Sequence, residues 1–337
     1  MKKAAIVGMG ESAKLHIASL LKMRVKIVGV VDLNIEKAKE KARQWGITRC
    51  YNSLEALFNQ EDVDVVHICT PPQSHYPLIL EALQRNCHVI CEKPILLSCR
   101  DMTHVLKLAS EKNLRVFQVE NFKFHPSIRK GRQLVNTATG NVKYAYVFWP
   151  IPVYLKGNIP QWMKQLPGQQ FTEVAMHPIY IIIDFIGSEI QKIDVSQQRN
   201  ALGQPDTLTI LIKTNSAIGI VTISKSCASP GMLIVHGEKL SFSANIDNNS
   251  LIIFGRTDNL YSKFMVNIVA STQLLSSSLS NAIRYLAGSF KEGYHYDFIR
   301  SVYEAILGKQ QGPTSHEHIY ASVKVYEEVL NQLSYVH

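Results

Sequence analysis

The first 120 residues alternate short, β-branched apolar runs with amphipathic segments, and this alternation limits the possible folds more than any other feature. Ala4–Val7, Val25–Val31 and Val63–Cys69 are continuous apolar runs separated by helical patterns. Strands that are apolar on both faces and joined by helices are typical of a parallel sheet covered on both sides. Because such crossovers are right-handed, we expect a doubly wound, parallel α/β domain over residues 1–121.

After residue 121 the pattern changes to alternating apolar and polar residues. Lys143–Trp149, Thr207–Lys213 and Ala217–Ser224 place apolar side chains on one face only, which is typical of antiparallel strands. A helical stretch over 173–186 accompanies them. We therefore predict a second, α+β domain over residues 122–337, built on a large, mostly antiparallel open sheet.

A glycine turn, Gly8-x-Gly10-x-x-Ala13, stands where the first predicted strand ends and the first helix begins. The first glycine permits a tight turn, and the second lets the backbone approach a pyrophosphate. The small third residue lets the helix pack closely on the strand. Glu11, Ser12 and Ala13 open the helix, where exposed backbone N–H groups favour an anion. The sequence thus predicts a Rossmann domain that binds a dinucleotide at this turn.

Asp32 closes the second predicted strand, 22 residues beyond Gly10. A carboxylate at this position hydrogen-bonds the adenosine ribose hydroxyls and repels a 2′-phosphate. Leu33, Asn34 and Ile35 follow it, without the arginine that would accommodate that phosphate. NAD is therefore predicted in preference to NADP. The alternative is an aspartate that caps a strand in an α/β domain without a cofactor.

Two further loops follow predicted strands at the edge of the sheet where ligands bind in this architecture. Thr70-Pro71-Pro72-x-x-His75 follows one strand, and Glu92-Lys93-Pro94 follows the next. A lysine in the second loop would face the nicotinamide end of a bound dinucleotide. Taken without its position, such a tripeptide is an ordinary loop.

The glycine turn with His16, Thr70-Pro71 with His75, and Glu92-Lys93-Pro94 together resemble the Gfo/Idh/MocA oxidoreductase family. The resemblance implies a C-terminal domain whose open sheet makes dimer or tetramer contacts, so a homo-dimer or homo-tetramer is expected. It also implies that Lys93 is catalytic and that the Lys93–Pro94 peptide bond is cis. Thr70, Pro71, His75 and Glu92 are expected to contact the cofactor together with Lys93.

A second signature of that family is a glycine-rich turn followed by Asp-x-x-x-His at the start of a helix. Gly168 followed by Glu173 and His177 matches it, with glutamate in place of aspartate. The i, i+4 spacing puts both side chains on one helix face, and the resemblance implies that both are catalytic. Trp162 and Lys164 resemble the family's Trp-Arg segment near the nicotinamide. A surface carboxylate–histidine pair and plain loop packing are the alternatives.

These residues predict an enzyme, an NAD(P)-dependent oxidoreductase acting on CH–OH groups. It would move hydride between NAD and a secondary alcohol or ketone carbon of a sugar or sugar-like small molecule. His177 suits proton transfer near neutral pH, and Lys93 suits stabilisation of charge on the reacting oxygen. Glu173 would orient either residue or hold a substrate hydroxyl. Two alternatives stay open: a regulatory protein that binds a dinucleotide without turnover, and an NAD-assisted hydrolase or imine reductase of the same family.

The composition of the chain limits which partners and ligands are expected. The chain has 36 Lys and Arg against 27 Asp and Glu, a net charge of +9, without a basic run of the kind that binds nucleic acid. The excess suits an anionic, nucleotide-linked substrate or a merely solvated surface. The six cysteines form no CxxC pair or zinc spacing, so no metal is expected. Without a signal peptide or a long apolar stretch, we expect a cytoplasmic protein that contacts no membrane.

Overall fold

The structure is a computed structural model that describes residues 2–151, 161–255, 260–286 and 293–334. Chain contacts divide it into two compact units. The first comprises Met1–Asn121 with His295–Val323, and the second Phe122–Tyr294 with Lys324–His337. Residues 295–323 therefore belong to the first unit, although the sequence-based division at residue 121 assigned them to the second domain.

The first unit is built on a parallel sheet of six short strands. They are β1 (Lys3–Val7), β2 (Lys26–Val31), β3 (Cys50–Tyr51), β4 (Val65–Ile68), β5 (His88–Cys91) and β6 (Val116–Gln118). Their order is β3-β2-β1-β4-β5-β6, and every pairing is parallel. Residues of β1, β4 and β5 are almost all buried, which explains their continuous apolar runs. The predicted doubly wound sheet is confirmed, and β3 is an edge strand that was not predicted.

Helices connect these strands and pack on the sheet. They are α1 (Glu11–Lys22), α2 (Ile35–Arg43), α3 (Leu54–Phe58), α4 (His75–Gln84) and α5 (Cys99–Glu111). Three begin at a side chain that accepts a hydrogen bond from the first helical turn, namely Asn34, Ser53 and Ser98. These caps set where α2, α3 and α5 begin.

The second unit is built on a seven-stranded sheet. Its strands are β7 (Val142–Pro150), β8 (Ile190–Arg199), β9 (Pro205–Thr214), β10 (Ile218–Ser224), β11 (Met232–Gly237), β12 (Leu240–Asn245) and β13 (Ser250–Gly255). The order is β13-β12-β11-β7-β10-β9-β8, with β7 and β10 parallel and the other neighbours antiparallel. The predicted, mostly antiparallel sheet is confirmed, with β12 as a strand that the sequence analysis missed.

The remaining helices are α6 (Pro126–Leu134), α7 (Gln161–Lys164), α8 (Gln170–Ile186), α9 (Leu260–Leu286), α10 (Gly293–Ile306) and α11 (His316–Ser334). α8 packs on β7 and β10 and is buried along most of its length. In β9 and β10 alternate residues are buried, so one sheet face forms the core under α8. None of the helices described is long and apolar enough to cross a membrane.

Candidate functional site

The glycine turn of the first unit lies between β1 and α1, as the sequence predicts. Gly8 adopts a φ of +88°, and its N–H donates to the Val31 carbonyl at 2.7 Å. A Cβ at Gly8 would lie 2.8 Å from the carbonyl oxygen of Cys69, whereas a Cβ at Gly10 would lie 3.8 Å from it. Gly8 thus meets the requirement of a tight turn. Gly10 leaves the space that a pyrophosphate needs to approach the backbone.

Asp32 lies at the end of β2 and holds this turn. Its Oδ2 accepts a hydrogen bond from the Met9 N–H at 2.9 Å, and its Oδ1 accepts one from the Asn34 N–H at 3.0 Å. Lys41 Nζ donates to the Met9 carbonyl at 2.7 Å, so both polar groups of Met9 are bonded. The structure therefore brings Asp32 beside the glycine turn, where the fold places the ribose of a dinucleotide.

The first residues of α1 differ in exposure. Glu11 is exposed and pairs with Lys14 at 2.7 Å, and this hydrogen bond lowers the pKa of Glu11. Ser12 is half-buried, and Ala13 is buried against the sheet. The small third position of the motif therefore supports packing of α1, as expected, and the exposed backbone of the first turn is the part available to an anion.

Glu92, Lys93 and Pro94 follow β5 at the carboxyl edge of the parallel sheet, and the Lys93–Pro94 peptide bond is cis. His16 Nε2 lies 3.1 Å from Glu92 Oε1. Burial alone would raise the pKa of Glu92, but the hydrogen bond from His16 and nearby positive charge lower it to about 2. An ionised carboxylate therefore stands next to the half-buried Lys93.

A chain of buried polar groups lies behind Glu92. His16 Nδ1 is 2.7 Å from His67 Nδ1, and His67 Nε2 is 2.9 Å from the Tyr303 hydroxyl oxygen. Burial and the neighbouring His16 hold the pKa of His67 well below its usual value, so His67 is neutral. We assign the hydrogens of this chain so that every group is satisfied. Tyr303 donates to His67, His67 donates to His16, and His16 donates to Glu92, which fixes this carboxylate in place.

His16, Glu92 and His295 are the group of described residues that comes nearest to a metal site. Each offers one ligand atom, and these atoms lie within 4.8 Å of one another. The His16–Glu92 hydrogen bond already uses one atom of each residue, and burial lowers the pKa of His295 to about 4. We assign no metal to this group, and the predicted absence of a metal stays a prediction.

His75 joins the two loops that the sequence singled out. It is fully buried, with Nε2 at 2.9 Å from the Thr70 carbonyl and Nδ1 at 3.0 Å from the Pro94 carbonyl. Thr70 accepts a hydrogen bond from Ser74 at 2.7 Å, and Pro71 is exposed. The geometry gives His75 a positioning role, while Thr70 and Pro71 stay candidates for contact with the cofactor.

The sequence analysis missed a second polar chain below the Glu92–Pro94 loop. Gln118 Oε1 accepts the Ile95 N–H at 3.0 Å, and Gln118 Nε2 donates to Glu120 Oε1 at 3.0 Å. The Thr314 hydroxyl donates to Glu120 Oε2 at 3.1 Å. Both Gln118 and Glu120 are fully buried. Two polar residues spaced by two at the end of an apolar strand were the signal that could have found them.

In the second unit, Glu173 and His177 lie one turn apart on α8, and both are half-buried. The helix begins after Gly168, with a φ of +71°, and Gln169, with a φ of +50°. A Cβ at Gly168 would lie 2.6 Å from Leu333 Cδ1. Glycine before this helix is thus explained by both backbone conformation and packing, and the predicted one-face arrangement is present.

Aromatic side chains surround His177. Its ring stacks on Trp149 with centroids 5.6 Å apart and meets Phe122 edge-on at 5.0 Å. His177 Nδ1 lies 3.0 Å from the Tyr180 hydroxyl oxygen, which also accepts the Phe122 N–H at 3.2 Å. The sequence analysis missed Tyr180, although its spacing of three from His177 on a helix predicts such contact.

The other residues of this unit that the sequence analysis named lie on the short helix α7. Trp162 is half-buried and Lys164 is exposed. Lys123 and Arg132 both pair with Asp184, at 3.0 and 2.8 Å. One carboxylate therefore serves as the counter-charge of both cations.

A family model described as an oxidoreductase family with an NAD-binding Rossmann fold matches residues 2–120. A trans-1,2-dihydrobenzene-1,2-diol dehydrogenase of Xenopus laevis is 24% identical over 244 residues, which cover 64% of this chain and 72% of the relative.

Solved structures resemble the whole chain in fold. UDP-N-acetylglucosamine 3-dehydrogenase GnnA from Acidithiobacillus ferrooxidans superposes with a TM-score of 0.77 at 18% identity, covering 100% of this chain and 99% of that one. The WlbA dehydrogenase from Bordetella pertussis, solved with NADH and UDP-GlcNAcA, gives a TM-score of 0.77 at 17% identity, covering 99% and 96%. At these identities the likeness shows the fold.

For residues 2–120, the match to the family model confirms the family predicted from the glycine turn and the Glu92-Lys93-Pro94 loop, with NAD as its cofactor. The prediction of an oxidoreductase is confirmed with it. Residues 2–120 therefore match the Gfo/Idh/MocA oxidoreductase family, which has an NAD-binding Rossmann fold.

Proposed function

We propose that the protein is an NAD-dependent dehydrogenase that oxidises a CH–OH group of a sugar or sugar-like substrate, or reduces the corresponding ketone. We assign Lys93, Glu173 and His177 as its catalytic residues. The observation that carries the proposal is the position of Lys93. It directly follows an ionised, anchored Glu92 at the carboxyl edge of the parallel sheet, where ligands bind in this fold.

The cofactor site consists of residues of the first unit. The backbone of Gly8, Gly10 and the first turn of α1 would hold the pyrophosphate, and Asp32 would hold the ribose hydroxyls. The space in front of Gly10 supports this assignment, since a Cβ there has ordinary contact distance to Cys69. When bound, NAD supplies the acceptor or donor of the hydride.

His177 carries the proton in this proposal. During alcohol oxidation the O–H bond of the substrate breaks and its proton passes to His177 Nε2, while the carbon loses hydride. The Tyr180 hydroxyl, 3.0 Å from Nδ1, can accept from or donate to that nitrogen. When it accepts, the other ring nitrogen serves as a base for oxidation, and when it donates, His177 presents an N–H for reduction.

Lys93 and Glu173 complete the assignment. Lys93 donates a hydrogen bond to the reacting oxygen and stabilises the negative charge that develops there. Glu173, one turn before His177 on the same face, holds a substrate hydroxyl. Because glutamate is one methylene longer than the aspartate usual in the family, it reaches a hydroxyl further from the backbone of α8.

The substrate class is supported by the relatives and by charge. Two of the solved structures with this fold are a UDP-N-acetylglucosamine dehydrogenase and a dehydrogenase holding UDP-GlcNAcA. The net charge of +9 suits an anionic substrate. We therefore propose a nucleotide-linked sugar as the substrate. A homo-dimer or homo-tetramer is proposed as the assembly.

Absorbance at 340 nm tests the activity directly. The protein is mixed with NAD and a panel of UDP-N-acetylglucosamine, UDP-GlcNAcA, free N-acetylglucosamine and myo-inositol. We expect NADH to accumulate with a nucleotide-linked member of the panel. A protein that perturbs NADH fluorescence but reduces no NAD with any member would be a dinucleotide-binding protein, and the proposal would fail.

Two histidine variants give the matched control. His177→Asn should lower turnover by roughly 10²–10⁴-fold, the usual loss for a general acid–base. His236→Asn changes an exposed histidine on β11 in the same unit and should leave turnover unchanged. Equal effects of the two substitutions would contradict the role of His177.

A further inference from the structure

A cavity of about 440 Å³ lies in the second unit, at the start of α8. Residues 164–171 form one wall, and Gln197, Arg199, Pro205, Lys225 and Leu333 form the others. Its charged lining residues are Lys164, Arg199 and Lys225, and its lining contains four glutamines but no carboxylate. The cavity thus gathers positive charge and neutral hydrogen-bonding groups, and its volume is in the range of small-molecule sites.

Among the residues that the structure describes, none of these three cations lies within salt-bridge distance of Asp or Glu. Arg199 donates to the Gly203 carbonyl at 2.8 Å. Lys225 is half-buried, with its Nζ 5.0 Å from the centroid of the Phe171 ring. Burial lowers the pKa of Lys225, and the negative charge of Asp206 offsets this shift only in part. An anion in the cavity would add a further counter-charge.

The cavity lies at a fixed distance from Glu173 and His177, because α8 both lines it and carries these residues. Gln170 lines it and His177 follows seven residues later on α8, which is roughly 10 Å along a helix. A sugar ring followed by a diphosphate spans such a distance. We propose that this cavity binds the diphosphate of a nucleotide-linked substrate, with Arg199 and Lys225 as its principal contacts. The inference rests on the proposed function for the identity of the substrate but not for the charge of the ligand.

Calorimetric titration of the whole protein, saturated with NAD so that the Rossmann site is filled, tests the cavity. The probe is UDP, with uridine as its neutral counterpart. We expect UDP to bind at least tenfold more tightly than uridine, with weakening by added salt. Arg199→Gln and Lys225→Gln should each weaken UDP binding at least tenfold. Lys213→Gln, an exposed lysine on β9 outside the cavity, should not.

Equal affinity for UDP and uridine, or an unchanged affinity in both cavity variants, would overturn the proposal. The titration needs no turnover, so its failure is distinct from failure of the proposed dehydrogenase activity. Where turnover is found, UDP should compete with the nucleotide-linked substrate. A UDP effect on the rate without competition would assign the cavity to a free regulatory nucleotide and overturn its role in substrate binding.

A second inference rests on α9, whose apolar face points away from the sheet. Its outward residues are 56–84% exposed: Phe264, Ile268, Leu275, Leu279, Ile283 and Leu286. At 3.6 residues per turn they fall within an arc of roughly 100°. We call them the α9 stripe. The opposite face is half-buried and largely polar or small, with Ala270, Gln273, Ser277 and Asn281 among its residues.

Polar groups hold α9 against the edge of the sheet. The Gln273 amide accepts the Ile253 N–H at 2.7 Å and donates to the Ile253 carbonyl at 3.4 Å, so it pairs with edge strand β13 as another strand would. Asn281 hydrogen-bonds to Asn249 at 3.2 Å. A surface helix normally turns its apolar face to the core. In α9 this orientation is reversed, which leaves the stripe available to another surface.

The area of the stripe matches what a dimer needs. Its six side chains expose on the order of 700 Å², against about 800 Å² per partner in a standard interface and 300–600 Å² for the largest patch of a typical monomer. None of the six residues of the stripe carries a charge. Two copies can therefore meet without burying a charge. We infer that the α9 stripe is the contact between two copies of this chain, related by a two-fold axis.

Light scattering coupled to gel filtration tests the contact on the full chain. We expect Leu275→Glu with Leu279→Glu to halve the mass of the wild-type particle, or to weaken association at least 100-fold by ultracentrifugation. Because both side chains are already exposed in the protomer, the circular dichroism spectrum should not change. Leu202→Glu, at an equally exposed leucine between β8 and β9, should keep the wild-type mass.

A monomeric wild type, or an oligomer that the double substitution leaves intact, would overturn the inference. Flotation with phosphatidylcholine–phosphatidylserine vesicles tests the other possible partner of the stripe, a membrane surface. Wild-type protein that is monomeric in solution and floats with vesicles, while the double variant does not, would assign the stripe to a membrane surface.

Discussion

Replacement of Gly8 and Gly10 by alanine separates the two roles that the glycine turn combines. At Gly8 the φ of +88° and the 2.8 Å approach to the Cys69 carbonyl oxygen both exclude a Cβ. At Gly10 the φ of −75° suits any residue, and a Cβ would lie 3.8 Å from that oxygen. Gly8→Ala should therefore destabilise the fold, and Gly10→Ala should leave the fold but weaken cofactor binding.

The expected free energies follow from these contacts. Holding alanine in the left-handed region costs roughly 1–2 kcal/mol, and forcing a Cβ against backbone atoms of Cys69 costs about 1–3 kcal/mol more. Gly8→Ala should thus lower the free energy of unfolding of the first unit by about 3 kcal/mol. Gly10→Ala loses a favourable helix N-cap, which costs about 0.5–1 kcal/mol.

Urea unfolding followed by circular dichroism measures the first effect. With a slope of roughly 2–3 kcal/mol per molar urea, Gly8→Ala should lower the unfolding midpoint by about 1 M, and Gly10→Ala by a third of that or less. NAD affinity measured by calorimetry gives the second effect. Gly10→Ala should bind NAD at least 100-fold more weakly, because the added methyl group occupies the space of the pyrophosphate.

Two results would refute this account. An unchanged midpoint for Gly8→Ala would mean that the close approach to Cys69 does not exist in solution. Wild-type NAD affinity for Gly10→Ala, with the midpoint also retained, would place the pyrophosphate elsewhere.

The remaining predictions concern Lys93 and the buried chain. Lys93→Met should lower turnover by ~10³-fold with NAD affinity within about threefold of wild type; a large loss of NAD affinity by calorimetry would make Lys93 a binding residue instead. Tyr303→Phe leaves the buried His67 Nε2 without its donor at 2.9 Å and should cost about 1–3 kcal/mol in urea unfolding. Burial lowers the folded-state pKa of His295 to about 4, so its contribution is intact at pH 7 and is lost as pH falls from about 6.5 towards 4. The wild type should therefore lose about 2 kcal/mol more stability between pH 7 and pH 5 than His295→Gln does. Unfolding titrations at the two pH values measure this difference. An unchanged pH dependence in the variant would show that His295 is not buried in its neutral form.

The parts of the fold that the sequence predicts are those with a local pattern. The strands around Val66 and Val89 are apolar on both faces, as in a buried parallel sheet. In the segment Thr207–Lys213 apolar and polar residues alternate, as in an antiparallel sheet with one exposed face. The sequence alone therefore distinguishes the two kinds of sheet. Glu173 and His177 were found from the resemblance to a family signature, and helical spacing placed them on one face. α9 was missed because three consecutive serines interrupt its apolar pattern and favour turns over regular structure. β12 was missed although its sequence, LSFSAN, alternates apolar and polar residues as a strand does.

The buried chain behind Glu92 could not be predicted in the same way. His67 and Tyr303 are 236 residues apart in the chain, and Glu120 and Thr314 are 194 apart. No periodicity links such pairs, so their contact depends on the assembled unit. A lone histidine in a strand is also more often a satisfied core residue than a functional one, and His67 alone gives no sign of the chain to which it belongs.

These buried chains also bear on how Lys93 and His177 divide the chemistry. A buried carboxylate is costly unless it is hydrogen-bonded, and Glu92 remains ionised because His16 donates to it. The other ring nitrogen of His16 is bonded to His67, which orients the imidazole. Lys93 therefore has a permanent carboxylate neighbour, which suits an electrostatic partner of the reacting oxygen. His177 is linked through its Nδ1 to a hydroxyl that both donates and accepts, and proton transfer is the role that this arrangement supports.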